Sequence, residues 1–196
     1  LEESYKVRVY SNSGSRGEIL DRNGKILATN NENGEREYPY GEITAHLVGY
    51  VRGISEEELE EHKGEGYTAS SLIGKNGLEL AFEDRLRGKN GTGIYIVDAN
   101  EEVLKTIAET DMEDGEDIKT TIDIDLQTKI YEEFDDNNGF SVAMNPKTGE
   151  VLAMVSTPSF DSNKFIQGFT DEEWKELSTD ENTPMFTRYE STWVPG

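Results

Sequence analysis

The sequence contains no cysteine, which excludes disulfide bonds and thiolate zinc sites. It has no run of about 18 apolar residues, and its start, LEESYKVRVY, lacks the basic and apolar regions of a signal peptide. Cations are scarce, since 19 Lys and Arg stand against 41 Asp and Glu, for a net charge of −22. Binding to nucleic acid or to an anionic membrane depends on cationic groups, so neither is an expected partner.

The remaining composition is that of a folded protein. Of 196 residues, 34% are hydrophobic and 31% are charged, and Tyr, Phe, Ile and Leu recur throughout the chain. A disordered chain would be poorer in these residues. The length is enough for one domain of ordinary size or two small ones, with a core that needs no covalent cross-links.

Two β-hairpins are predicted from turn residues. Asn23-Gly24 lies between the apolar pairs Ile19-Leu20 and Ile26-Leu27, which is the strongest short signal for a hairpin. A second hairpin is expected over residues 140–156, with its turn at residues 146–149. An apolar hairpin with an unpaired edge associates readily with other strands. We therefore expect the second hairpin to dock on the rest of the chain, pair with another chain, or be held by polypeptide outside this sequence.

Three helices are predicted from capping residues and apolar spacing. Ser55 and Glu58 form a capping box at the start of an acidic helix. Residues 78–86 carry an apolar stripe at helical spacing, and Gly88 is expected to end that helix. Asp123 starts a third helix that runs to about residue 134. Together with the hairpins, these helices indicate an α+β protein.

No nucleophile motif for serine catalysis occurs in the sequence. Lys147-Thr148-Gly149 matches the strand that lines the active site of serine β-lactamases and penicillin-binding proteins, but it follows Pro146 in a predicted turn. No Ser is followed by Lys three positions later, and Gly-x-Ser-x-Gly is also missing. Residues 88–93 have the glycine spacing of a phosphate-binding loop, but Ile94 stands where Lys is required. We therefore assign no catalytic residue to this chain.

Metal binding is not expected either. The acidic stretch 109–117 is similar to a calcium loop, but Gly115 falls one position early after Asp111 and no Glu follows at the twelfth place. His46 lies four residues after Glu42, a spacing that favours a hydrogen bond over a set of metal ligands. We predict no metal site and no cofactor, and we interpret 109–117 as a solvated acidic turn.

Six segments are more informative in their order than any one of them alone. Together they span nearly the whole chain and resemble class B penicillin-binding proteins, the membrane-anchored D,D-transpeptidases that cross-link peptidoglycan. The resemblance is greatest to the low-affinity, β-lactam-tolerant members of Gram-positive bacteria, which confer antibiotic resistance. The segments are RGEILDRNG (16–24), YP (38–39) with HLVGYV (46–51), IGKNGLE (73–79), TID (121–123), NPKTGEVLAM (145–154) and PSFD (158–161).

The resemblance implies an elongated α+β fold in two parts. Residues 1–137 would form a pedestal of the dimerisation type, built of antiparallel strands and helices, and residues 138–196 the N-terminal part of the transpeptidase domain. Arg16, Asp21 and Arg22 can form a charge-assisted network that pins a hairpin. The other family residues, which we also interpret as scaffold, are Gly17, Gly24, Gly74, Gly77, Glu79, Pro146 and Gly149.

The sequence departs from the family pattern in two places. Between Asn30 and Glu37, where a head subdomain is usual, there are only six residues, 31–36. The segment 193–196, Trp-Val-Pro-Gly, is similar to the lead-in to the catalytic Ser-x-x-Lys helix. The nucleophile is therefore expected immediately after Gly196, and the later Ser-x-Asn and Lys-Thr-Gly motifs are missing as well.

In functional terms, the resemblance implies the non-catalytic part of an enzyme. The parent would bind peptidoglycan stem peptides and β-lactams through its active-site serine. This chain would hold the parent transpeptidase domain on the extracellular face of the cytoplasmic membrane, anchored by an N-terminal transmembrane helix absent from the sequence. Division or other cell-wall synthesis proteins are possible partners. The alternatives are a stand-alone extracellular module that binds cell-wall or protein partners, and a calcium-binding adhesin-like domain resting on 109–117.

Overall fold

A computed structural model describes residues 5–190, which fold as an α+β protein. The segment 193–196 lies outside these residues. The strands are β1 (Lys6–Asn12), β2 (Ile19–Leu20), β3 (Ile26–Asn30), β4 (Arg36–Glu37), β5 (Val51–Gly53), β6 (Leu72–Gly74), β7 (Gly91–Val97), β8 (Val103–Thr110), β9 (Ile118–Lys119), β10 (Gly139–Met144) and β11 (Val151–Thr157). The α-helices are α1 (Ala45–Val48), α2 (Glu56–Glu61), α3 (Gly77–Ala81), α4 (Glu83–Leu86), α5 (Ile124–Phe134), α6 (Lys164–Gln167) and α7 (Asp171–Thr179), and short 3₁₀ turns cover Gly41–Ile43 and Arg188–Glu190.

The predicted first hairpin lies in a four-stranded sheet of order β4-β3-β2-β9. Strands β2 and β3 are antiparallel, with Ile19 opposite Ala28, and β9 lies parallel to β2. The turn between β2 and β3 contains Gly24 at φ +85°, so the hairpin prediction is confirmed. Residues 31–35 close a second tight loop, in which the Asn31 side chain accepts hydrogen bonds from the backbone of Asn33 and Glu35.

The hydrophobic core lies between this sheet and the helices that cross it. Apolar side chains of β2, β3 and β9 meet those of α1, α4 and α5 there, and burial of this surface is the main source of stability. Partly buried aromatic rings close the core at its edge, among them Tyr40, Tyr50 and Phe82. The fully buried members are Ile19, Leu27, Ala28, Tyr38, Val48, Leu86, Ile118 and Ile124.

A three-stranded antiparallel sheet of order β1-β7-β8 has a different character. Strand β8 is exposed along its whole length, and Val7 and Val9 of β1 also point into solvent. On the central strand β7, Val97 is fully buried. Apolar strand residues therefore face solvent over much of this sheet, which we call the outer sheet.

The predicted second hairpin, β10–β11, docks on α5. Docking on the rest of the chain was one of the three arrangements that we expected. Gln127 of α5 is almost fully buried and bonds the backbone of Met154 twice, donating to its carbonyl at 2.7 Å and accepting from its amide at 2.8 Å. Lys147-Thr148-Gly149 lies in the turn between the strands and not in a strand. This position confirms the interpretation of the motif as a turn.

The helix predictions are confirmed in position, with one wrong detail. Ser55 and Glu58 form both bonds of the capping box, and the Asp123 side chain caps α5. The stripe over residues 78–86 is divided into two short helices, α3 and α4. Gly88 does not end α4 with a left-handed conformation, because α4 already ends at Leu86 and Gly88 has no positive φ. No helix within residues 5–190 is long and apolar enough to cross a membrane.

Candidate functional site: a buried charge network and an arginine-lined cleft

Arg16 and Glu79 form the centre of a buried ion-pair network. Arg16 lies in the connection between β1 and β2, and Glu79 projects from α3 with 0% of its surface exposed. The Arg16 guanidinium donates to Glu79 twice, to carboxylate Oε2 at 2.7 Å and to the backbone carbonyl at 3.0 Å. Charge-assisted bonds of this kind are the strong ones, and burial removes the competition of water.

A second arginine, Arg36 of β4, holds the other oxygen of the same carboxylate. Its Nε donates to Glu79 Oε1 at 2.7 Å, and its Nη1 donates to the Gly17 carbonyl at 2.8 Å. The Tyr38 hydroxyl donates to the same oxygen at 3.3 Å and accepts from the Val51 amide at 2.9 Å. Burial, with Glu79 nearby, raises the pKa of Tyr38 far above its ordinary value. Glu79 thus ties the β1–β2 connection and β4 to α3.

Glu83, one helical turn after Glu79, completes the network. Its Oε2 accepts from Arg16 Nη2 at 2.6 Å and from the Gly74 amide at 2.9 Å, and its Oε1 accepts from the Tyr67 hydroxyl at 2.9 Å. Burial lowers the pKa of Arg16, but the carboxylates of Glu79 and Glu83 outweigh it and raise that pKa. We call Arg16, Arg36, Glu79 and Glu83 the charge network, in which two cations balance two anions.

Gly77 lets α3 carry Glu79 into this position. It opens α3 at φ +58°, in the left-handed region that glycine tolerates best. A Cβ atom there would lie 2.6 Å from the Leu47 carbonyl oxygen of α1. Gly74, at the end of β6, likewise lies so close to α3 that its Cβ would stand 2.2 Å from the Glu79 carbonyl oxygen. The spacing of these glycines in IGKNGLE therefore reflects backbone contact around Glu79.

Asp21 and Arg22 do not join Arg16 in a network, contrary to the expectation. The buried carboxylate of Asp21 accepts from the backbone amides of Asn23, Lys25 and Ile124. Burial raises the pKa of Asp21, but these three amide bonds reverse the shift and bring it below its ordinary value. Arg22 makes only a loose surface contact, 3.9 Å from Glu150. Asp21 pins the hairpin alone, through backbone groups.

Two of the family residues lie at the far turn of the second hairpin. Pro146 and Gly149 flank the turn between β10 and β11, where the Gly149 amide donates to the Asn145 carbonyl at 2.8 Å. Gly149 has φ +76° with open space around it. Their part in the fold is the local turn, and they are not members of the charge network.

The acidic residues of the stretch 109–117 are exposed to solvent, as expected, and two of them also bind the backbone of the β1–β2 connection. The Asp114 side chain accepts from the Ser15 amide, and that of Asp117 accepts from the Glu18 amide, both at 2.8 Å. These carboxylates therefore bind the backbone on either side of Arg16. Within residues 5–190, no group of three or more His, Cys, Asp or Glu side chains is placed to hold a metal ion.

A cleft of about 360 Å³ opens beside the charge network. Among the residues that line it, three are arginines, Arg16, Arg36 and Arg87, and none is Asp or Glu, although acids make up a fifth of the chain. Arg87 lies over the ring of Tyr67, with 4.3 Å between its guanidinium carbon and the ring centre. Arg36 Nη2 is buried and has no hydrogen-bond partner among the described residues. This arginine cleft presents the guanidinium of Arg87 to an anion, whereas Arg16 and Arg36 are already paired with Glu79 and Glu83.

Sequence reasoning found part of this site and missed the rest. Arg16, Gly17, Gly74, Gly77 and Glu79 come together in space, as members of two segments of the family pattern. The residues that it missed are Arg36, Tyr67, Glu83 and Arg87, while Tyr38 was marked as part of the segment 38–39 without a role. Glu83 carried a usable signal, since it lies four residues after Glu79 and so faces the same side of a helix.

Comparison with known proteins places these features in a family. Residues 31–120 match the Penicillin-binding Protein dimerisation domain, and residues 139–196 match the Penicillin binding protein transpeptidase domain. The two ranges cover most of the chain, and the second begins at the start of β10, after an interval of 18 residues, 121–138, that contains α5. The charge network thus falls largely within the dimerisation match, and the second hairpin falls within the transpeptidase match.

Similar proteins agree with these matches. Penicillin-binding protein 3 of Bacillus subtilis is 50% identical over 161 residues, which is 82% of this chain and 24% of that protein. Peptidoglycan D,D-transpeptidase MrdA of Escherichia coli is 36% identical over 157 residues, 78% of this chain and 25% of that protein. A chain solved in a study of polymerization and crosslinking by a peptidoglycan synthase complex is 25% identical, with a TM-score of 0.78 over 95% of this chain and 45% of its own length. This chain spans about a quarter of the curated relatives. It belongs to the class B penicillin-binding proteins, of which it carries the dimerisation region and the beginning of the transpeptidase domain.

Proposed function

We propose that this chain is the pedestal and first transpeptidase segment of a peptidoglycan D,D-transpeptidase. The pedestal would cover residues 1–137 and the transpeptidase segment 138–196. In the longer protein, a serine beyond Gly196 would be acylated by a peptidoglycan stem peptide with release of its terminal D-alanine, and would pass the acyl group to an amine on a neighbouring strand. β-Lactams would acylate the same serine. Two further points stay predictions: that the longer protein tolerates β-lactams, and that the loop 31–35 replaces the head subdomain.

One observation carries this proposal: side chains of the transpeptidase segment form hydrogen bonds with backbone groups of the pedestal. The Asn163 side chain accepts from the Tyr38 amide at 2.9 Å and donates to the Tyr38 carbonyl at 3.0 Å. The Ser162 hydroxyl, also buried, donates to the Gly49 carbonyl at 2.8 Å. Two side chains of the transpeptidase match are therefore bonded to the backbone of the pedestal at two separate points. A pedestal that supports a catalytic domain requires this kind of attachment.

Location and partners follow from the same proposal. Peptidoglycan is assembled outside the cytoplasmic membrane, so we place the chain on that face, anchored by a segment that precedes it. The similar chain from a peptidoglycan synthase complex supports partners among the cell-wall synthesis proteins. The exposed apolar side chains of the outer sheet are available for such contacts.

Fluorescent penicillin tests the proposal directly. The longer protein, expressed with the sequence beyond Gly196, should be labelled covalently, and unlabelled penicillin should block the reaction. The 196-residue chain should not be labelled, because it has no Ser-x-x-Lys motif. Labelling of the short chain, or no labelling of the long one, would contradict the proposal.

The arginine cleft favours a second candidate function, binding of an anionic cell-wall or protein group. Arg87 lines the cleft and can donate to a carboxylate, whereas the Arg36 side chain is fully buried against Glu79. We expect N-acetyl-D-alanyl-D-alanine to raise the melting temperature of the chain, and Arg87→Gln to remove that shift. Arg85→Gln is the matched control, because Arg85 pairs with Glu116 on the surface and does not line the cleft. A shift that persists in Arg87→Gln would exclude this binding site.

A further inference from the structure

His46 connects the pedestal to the last segment that the structure describes. It projects from α1 and is only 4% exposed. Its Nδ1 lies 2.9 Å from the Thr187 hydroxyl oxygen, and its Nε2 lies 3.3 Å from the Pro158 carbonyl oxygen. The ring of Phe160 packs edge-on against the imidazole, with 5.2 Å between ring centres. Three contacts to the transpeptidase segment therefore fix the orientation of one pedestal side chain.

Groups of the transpeptidase segment contact both ring nitrogens of His46. The Pro158 carbonyl oxygen faces Nε2 and the Thr187 hydroxyl faces Nδ1. The Pro184 carbonyl also bonds the ring. Burial lowers the pKa of His46, and the positive charge of Arg188 lowers it further, which keeps the ring neutral at pH 7. The neutral ring bridges two separate points of the transpeptidase segment.

The segment that receives this contact is itself organised by Arg188. The Arg188 guanidinium donates to the carbonyl oxygens of Phe186, at 3.2 Å, and of Asn182. Its backbone amide donates to the Ser156 hydroxyl of β11 at 3.1 Å. Residues 182–190 thus form a turn that is attached to β11 on one side and to His46 on the other. Of the residues that the structure describes, these lie closest in sequence to Gly196.

We propose that His46 is a positioning residue, which sets the place of the segment leading to the nucleophile. The inference rests on the proposed function, which puts the catalytic serine directly after Gly196. Thr187 is a contact point, so loss of its bond to His46 loosens the segment on the pedestal side, while the attachment to β11 through Arg188 stays and the reacting atoms are not touched. Misplacement by about 1 Å can slow an enzymatic reaction on the order of 100-fold. A partial release should therefore reduce acylation by roughly tenfold.

The test uses the longer protein and the rate of acylation by fluorescent penicillin. We expect Thr187→Val, which removes the hydroxyl bonded to Nδ1, and His46→Gln, which replaces the imidazole by an amide of different geometry, each to reduce the rate about tenfold. The double variant should be no slower than His46→Gln, since His46→Gln already breaks the bond that Thr187→Val removes. Thr187→Ser keeps the hydroxyl and should restore the rate. His62→Gln is the matched control, because His62 is a partly exposed histidine paired with Glu65.

Each outcome separates this inference from the proposed function. Unlabelled wild-type protein would overturn the proposed function and this inference with it. Wild-type labelling combined with unchanged rates in Thr187→Val and His46→Gln would overturn the positioning role alone. The same holds if the variants label a smaller fraction of the protein at the wild-type rate, because that result means that His46 only stabilises the fold. Should His46→Gln fail to fold, the pair Thr187→Val and Thr187→Ser decides the matter alone.

Discussion

The charge network and the outer sheet reverse the usual distribution of residues. Glu79 is 0% exposed, whereas Val9 of the outer sheet is 64% exposed. Carboxylates are among the residues least often fully buried, and valines among those most often buried. In this chain, the availability of partners decides burial more than residue type does. The acid is inside because two arginines and a tyrosine meet it, and the valine is outside because its strand face has no layer packed on it among the described residues.

This difference indicates separate roles for the two regions. A buried network in which the charges are paired adds little net stability, but it is sensitive to the loss of any one member. It holds four chain segments in one arrangement, as a scaffold must. An exposed apolar sheet adds little to the fold and is suited to contact with another surface. The predictions below test this division, from the largest expected effect to the smallest.

Removal of the central carboxylate should have the largest effect. Glu79→Ala leaves Arg36 buried without an anion and Arg16 with Glu83 alone, and loss of one partner from a buried pair costs about 3–5 kcal/mol. We expect the free energy of unfolding, measured with urea, to fall by that amount. Glu116→Ala is the control, because Glu116 pairs with Arg85 on the surface. It should change stability by less than about 1 kcal/mol.

If the two substitutions change stability equally, the contrast between the buried network and the surface is wrong. Equal effects would mean that water enters the network and screens its charges as it does at the surface. A further measurement distinguishes the cases, since 1 M salt should weaken the effect of Glu116→Ala and leave that of Glu79→Ala nearly unchanged.

Gly77→Ala should be the next most damaging change. It places a Cβ 2.6 Å from the Leu47 carbonyl oxygen at a residue with φ +58°. The strain of the left-handed backbone costs about 1–3 kcal/mol, and the clash adds to it by moving α3 and Glu79. Gly149→Ala has a similar φ of +76° but open space around it, so it should show only the backbone cost. The difference between the two melting temperatures isolates the steric part.

Because of His46, we expect the free energy of unfolding to depend on pH, with a smaller effect than those above. Its pKa is lowered by burial, so below pH ~6.5 the unfolded chain takes up a proton that the folded chain does not. Stability is therefore fully present above that pH and falls as pH is lowered, by at most about 1.4 kcal/mol per pH unit. Urea unfolding at pH 7.5, 6.5 and 5.5 should show this slope. Glu58 and Glu173, with pKa values lowered to about 2, stay ionised in this range.

Substitution separates His46 from other causes of that slope. His46→Gln cannot titrate and should flatten the pH dependence between 7.5 and 5.5, whereas His62→Gln should retain it. A slope that survives in His46→Gln would assign the effect to other groups. Arg188, the charged residue near the imidazole, does not titrate in this range and cannot supply it.

Local structure was predictable from the sequence, and long-range pairing was not. The Asn23-Gly24 hairpin, the capping box at Ser55 and the Asp123 cap depend on neighbours in sequence, and all three are confirmed. The partner of Arg16 lies 63 residues away, and Asp21 and Arg22 were chosen only because they are near in sequence. Spacing cannot identify such partners, since one residue in five is acidic.

Arg36 shows a second reason why the site was found only in part. The resemblance marks residues 31–36 as a departure from the family, so nothing in the pattern assigns Arg36 a role. In the structure it is 2% exposed and bonds Glu79. Family motifs therefore give no role to a residue in a segment that differs from the family, even when that residue, like Arg36, bonds a residue of a motif.

The smallest effect is expected in the outer sheet, where Val9→Thr and Val97→Thr form a matched pair. Both residues lie in paired strands, but Val9 is 64% exposed and Val97 is fully buried. Thr has nearly the shape of Val, so the exposed substitution should change the free energy of unfolding by less than about 0.5 kcal/mol. The buried one places a hydroxyl in an apolar site and should cost roughly 1–3 kcal/mol. If Val9→Thr costs as much as Val97→Thr, the face that carries Val9 is covered in solution. The description of the outer sheet as exposed to solvent would then be wrong.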